Sequence, residues 1–66
     1  MTITINSRTY TVRTHSVGLH HATEATVRIG GRVFRSELRP YGFIGAALED
    51  ISYAVRAVYP DAVVTE

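Results

Sequence analysis

Sixty-six residues, of which 45% are hydrophobic and 20% charged, with a net charge of +1 and no cysteine, describe one small folded domain spanning residues 1–66. A chain this short buries only about 60% of the surface its unfolded form exposes, which excludes a Rossmann half, a barrel or a two-domain cleft. The missing cysteine excludes a disulfide framework and a thiolate zinc knuckle, and the short apolar runs give no membrane span or signal-peptide core, so a soluble, cytoplasmic chain with no membrane partner is expected.

Thr2-Ile3-Thr4-Ile5-Asn6 and Thr9-Tyr10-Thr11-Val12-Arg13 alternate polar with apolar residues at a period of two, the strand signal. A two-residue connection at Ser7-Arg8 pairs Ile5 with Tyr10 and Ile3 with Val12, sending those four to one face and the threonines with Arg13 to the other. Residues 15–24 carry Gly18 and two adjacent histidines, and read either as a strand extension or as a loop. A second hairpin follows from Ala25 to Ser36 about Gly30-Gly31, since paired glycines supply the positive φ angles of a type I′ turn. A two-residue loop there buries Val27, Ile29 and Phe34 and leaves Arg28, Val33 and Arg35 opposite. A three-residue bulged loop would bury Val33 in place of the larger ring.

Pro40 breaks the strand pattern. Ile44, Ala47, Leu48, Ile51, Ala54, Val55 and Val58 then recur every three or four residues, predicting a helix that starts between residues 41 and 44 and ends at Pro60. Ile44, Leu48, Ile51, Val55 and Val58 are expected to bury against Ile3, Ile5, Val12, Val27, Ile29 and Phe34. Asp61-Ala62-Val63-Val64-Thr65 reads as a final edge strand. The expected fold is α+β in the order β-β-β-β-α-β: a small antiparallel sheet of two hairpins plus a C-terminal strand, one face covered by a single helix.

No catalytic constellation stands out. His15, His20 and His21 with Glu24 are the only candidate metal-ligand group, but adjacent strand residues point to opposite faces, so the expectation is exposed histidines and no metal. Ser16, His20 and Asp61 make a hydrolytic trio only on paper, without a nucleophile elbow. Gly30-Gly31 lacks the spacing and the lysine of a phosphate loop. Glu49 and Asp50 diverge by about 100 degrees on a helix, a poor geometry for shared acid/base work. No enzyme activity and no cofactor are expected.

Charge is distributed unevenly. All seven basic residues are arginine; residues 1–35 hold five of them against Glu24 alone, while residues 36–66 hold Arg39 and Arg56 against five carboxylates. Such polarity steers charged partners, or neutralises itself within the fold. Arg28, Arg32, Arg35 and Arg39 form the candidate nucleic-acid-binding group, and the opposing expectation is a solvated face paired with the acidic helix residues, with no measurable binding at physiological salt. Tyr41, Phe43, Tyr53 and Tyr59 surround the helix and cannot all fit a stripe already filled by aliphatics. Tyr53 and Tyr59 beside Glu49, Asp50 and Asp61 make the leading candidate for a protein-binding surface.

With its small size, lack of cysteine and enzyme motif, and one helix on a small sheet, the chain resembles the short stand-alone inhibitors encoded by phages and mobile elements, anti-CRISPR proteins in particular. The resemblance spans the whole chain and carries no residue motif. It implies a stoichiometric, non-enzymatic inhibitor of a bacterial effector complex such as a CRISPR-Cas surveillance complex, with Glu49, Asp50, Asp61 and Glu66 standing where the effector expects phosphates. The alternatives are a small nucleic-acid-binding protein that uses the arginine hairpin and a toxin/antitoxin-like dimer subunit, so the chain is a monomer or a homodimer.

Overall fold

The computed structural model describes all 66 residues. Its elements are β1 (Thr2–Ile5), β2 (Arg8–Thr11), β3 (Arg13–Val17), β4 (Ala22–Ile29), β5 (Arg32–Arg35), α1 (Ile44–Val58) and β6 (Val63–Thr65). The α+β class with a single helix is as the sequence predicts. Five strands precede the helix instead of four, because residues 13–17 form β3, and the strands divide into two antiparallel sheets, β2-β1-β6 and β3-β4-β5.

A single residue links the sheets. Val12 lies between β2 and β3, is buried, and donates its N–H to the Met1 carbonyl at 3.0 Å. The run from Arg8 to Val17 therefore serves one sheet with its first half and the other with its second. Side-chain alternation continues through the junction: Thr9, Thr11, Arg13 and His15 are all exposed, while Tyr10 and Val12 turn inward.

The first hairpin turns at Asn6-Ser7, not at Ser7-Arg8, and pairs Ile5 with Arg8 and Ile3 with Tyr10. Both turn residues have positive φ, 50° and 67°, as a type I′ turn requires. Asparagine tolerates that region well and serine less so, which is why the turn is not obvious from composition. The two-residue shift in register preserves parity, so the expected residues still face the core. The Gly30-Gly31 hairpin forms as expected, with Val27 opposite Phe34 and Arg28 opposite Val33.

The core comprises Ile3, Val12, Ala25, Val27, Ile29, Phe34, Ala47, Ile51, Val55 and Ala62. Ala47, Ile51 and Val55 form the buried stripe of α1, and Leu48 packs at its margin, as does Ile5 from the sheet. Ile44 and Val58, expected inside, are 48% and 41% exposed. They are the end residues of the helix and overhang the sheet that covers its middle.

Beyond β5 the chain makes a bulge. Ser36 N–H donates to the Ala25 carbonyl, and Arg39 exchanges both backbone bonds with Thr23, so Glu37 and Leu38 together oppose Glu24. The Ala25 N–H is satisfied by the Ser36 hydroxyl at 2.8 Å, which in turn donates to the Glu37 carbonyl at 2.8 Å. A side chain thus supplies the acceptor that a regular ladder would take from backbone, and the buried Ala25 N–H is not left unpaired. Pro40-Tyr41-Gly42-Phe43 then turns into α1, with Phe43 N–H bonded to the Pro40 carbonyl and Gly42 at φ 84°, a position that favours glycine. No helix of the chain is long and apolar enough to cross a membrane.

Candidate functional site

The acidic and aromatic residues predicted to share one rim are dispersed. Glu49 and Tyr53, four apart on α1, share its outer face, where they line a shallow groove with Ser52, Arg56 and Ala57. Tyr53 is 82% exposed. Tyr59 instead folds under the helix end, half-buried, its ring edge-on to Phe34 at 6.3 Å. Asp61 is exposed in the turn that precedes β6.

Asp50 is not a free solvent-facing carboxylate. Its two oxygens accept a forked pair of hydrogen bonds from Arg39, 2.8 Å from Nε and 2.6 Å from Nη2, the bidentate geometry that guanidinium favours. The Arg39 hydrogen bond holds the Asp50 carboxyl below the usual carboxylate range against the opposing effect of desolvation, helped by the Arg39 charge and the Glu37 backbone N–H. A depressed carboxyl stabilises the fold above its unfolded value, roughly pH 3.9, and that contribution disappears as pH falls through the lower folded value. Asp50→Asn is therefore expected to lower the Tm at neutral pH, with the gap from wild type closing on acidification below about pH 4. Thermal melts from pH 7 down to pH 2 check this, and a gap that stays constant would refute the charge contribution.

The four arginines predicted to act together do not. Arg39 is engaged by Asp50, with Glu37 3.4 Å away. Arg32 lies on the helix-facing side of β5, its guanidinium 4.9 Å from the centre of the Phe34 ring. Arg28 and Arg35 share the outer face of β3-β4-β5, and Arg13 joins them there from β3. Sequence reading missed Arg13 in this role because β3 was not recognised as a strand of this sheet. Arg35 reaches Glu24 at 3.2 Å, and His15 Nε2 reaches the same carboxylate oxygen at 2.9 Å. His20 and His21 occupy the exposed β3–β4 turn, and no three His, Asp or Glu side chains converge as metal ligands would.

A different cluster assembles at the end of the molecule where α1 begins. The Thr23–Arg39 bridge and a 3.3 Å bond from Gly42 N–H to Thr23 Oγ1 hold the 39–42 segment beside the β3–β4 turn. His21 stands edge-on to Tyr41 at 6.3 Å. Tyr41 is 73% exposed and Leu19 94%, and Leu38, Phe43 and Ile44 are exposed too. The aromatic residues before the helix were visible in the sequence; that the β3–β4 turn would bring Leu19 and His21 to the same end was not, because that segment carries no periodicity. No protein family, curated protein or solved structure gives a match to this chain.

Proposed function

We propose that the chain is a non-enzymatic binding module that docks on a protein partner through the apolar cluster at the start of α1, centred on Tyr41, Phe43 and Ile44. The supporting observation is the concentration of large exposed apolar side chains at one end of a molecule measuring 38 × 21 × 17 Å. Contiguous apolar surface on a small soluble domain marks interaction sites, and tyrosine and phenylalanine are favoured there because they bury large area at low entropic cost. Glu49 and Tyr53 form a second, smaller patch on the helix. In its finer form the reading is a stoichiometric inhibitor of a bacterial effector complex such as a CRISPR-Cas surveillance complex, occluding a surface that the effector needs.

The test is capture from nuclease-treated bacterial lysate on immobilised protein, comparing wild type with Tyr41→Ala/Phe43→Ala and with Glu49→Arg/Tyr53→Ala. The first pair should weaken capture of the specific partner by more than about tenfold, as expected for hot-spot aromatics, while circular dichroism remains native. The second pair should leave it within about threefold, the scale of rim contacts. Loss confined to the second pair would move the contact to the helix face, and capture unaffected by either would reject both surfaces.

A further inference from the structure

The outer face of β3-β4-β5 carries a charge pattern that protein docking at the start of α1 does not use. Arg13 pairs with Thr26 and Thr26 with Arg35, so two arginines flank one threonine in a single rank across three strands. Arg28 lies two residues along β4, opposite Val33. Strand spacing puts the Arg13 and Arg35 backbones about 10 Å apart, and Arg28 about 7 Å from their rank. The sole carboxylate of this face, Glu24, is only 13% exposed at its side chain and is already held by His15 and Arg35. Neither Arg13 nor Arg28 lies within ion-pairing distance of any acid. The acidic helix residues that would neutralise these arginines belong to the opposite side of the sheet.

Beside the arginines, the sheets meet in a groove of about 450 Å³ lined by Thr9, Tyr10, Thr11, Arg13, Thr26 and Arg28, among others. Guanidinium groups with neighbouring threonine hydroxyls are the donor set that recognises phosphate oxygens. Val33, the exposed apolar side chain of the hairpin, is not aromatic, and Tyr10, the aromatic residue that lines the groove, is half-buried and packed against the core, so no exposed ring on this face stacks on an unpaired base. From this juxtaposition we infer that the Arg13/Arg28/Arg35 face binds the phosphate backbone of duplex nucleic acid, weakly and without reading sequence. The apolar docking end lies at the other end of the same sheet, so both surfaces can be occupied together.

Anisotropy titrations of a fluorescent mixed-sequence DNA duplex between about 50 and 200 mM salt test the inference. Three phosphate contacts give a slope of log K against log salt of about −2.7. Arg13→Gln and Arg28→Gln should each flatten that slope by about one unit, and Arg56→Gln, on the helix, should leave it unchanged. Glu24→Gln should bind more tightly than wild type, because it removes the face's only negative charge and frees Arg35; a fold defect could not produce such a gain. The inference is overturned by the absence of duplex binding at about 100 µM protein, the weak limit of non-specific affinity. It is also overturned by equal losses from Arg56→Gln and Arg28→Gln, by tighter binding to a single strand, or by a polyglutamate peptide that binds as tightly as the duplex and so identifies an acidic protein as the occupant.

Discussion

Ile51→Ala is expected to leave much of the population unfolded at physiological temperature. Ile51 is fully buried at the centre of the α1 stripe, between Ala47 and Val55, both also fully buried. Ala47 on one side is too small to fill the space and Val55 on the other is already fully packed, so the loss falls within the range of about 2–5 kcal/mol for such truncations. A core of this size supplies only about 3–5 kcal/mol in total. Thermal melting by circular dichroism measures the effect, with Ile44→Ala and Val58→Ala as partners in the comparison. Both overhang the sheet, so each should change stability far less than Ile51→Ala does. If all three variants melt together, the burial pattern of the helix is wrong.

Phe34→Ala carries a comparable cost, about 3–5 kcal/mol for a buried aromatic. Its ring is the one large side chain that β5 sends into the core, and two further groups depend on it: the Arg32 guanidinium above it and the Tyr59 ring at its edge. Removing it loosens the helix C-terminus as well as the hairpin. Phe34→Leu, which keeps most of the volume, should recover much of the stability while abolishing the aromatic contact. Urea midpoints for Phe34→Ala and Val33→Ala provide the decisive contrast, since the register puts one residue inside and its neighbour outside. Equal losses would mean that the hairpin is paired one residue out of step.

Elements whose signals are local were legible in the sequence. Gly30-Gly31 determines its own turn, because few other residue pairs adopt two successive positive φ angles, and the 3.6-residue period between Ile44 and Val58 is unambiguous. The β3 strand was not legible. Its outward residues Arg13 and His15 are charged or polar, and its inward residues Thr14 and Ser16 stay exposed at the edge, so it lacks the alternation of hydrophobicity that betrays a strand. Nor does the Asp50–Arg39 fork have a local signature, since eleven residues and the turn at Pro40–Phe43 separate the partners. That ion pair is what removes Asp50 from the anticipated acidic rim and Arg39 from the anticipated basic hairpin. Tyr41 and Phe43 stood out as surplus aromatics, yet only the Thr23–Arg39 bridge reveals which turn they meet.

The pairing of β1 with β6 has a mechanical consequence. Thr2 is opposite Thr65 and Thr4 opposite Val63, so the first residue of β1 and the last of β6 lie side by side at the same end of an antiparallel pair. Tension applied through Thr2 and Thr65 would open that ladder one hydrogen bond at a time, like a zipper, instead of loading all the bonds together in shear. With only three residues in β6, the C-terminal strand yields first and exposes the flank of β1, while the β3-β4-β5 sheet and the helix that packs on it bear no load until the strand has peeled away. Under traction from its ends the molecule is soft at the β6 edge and stiff at the arginine-bearing sheet.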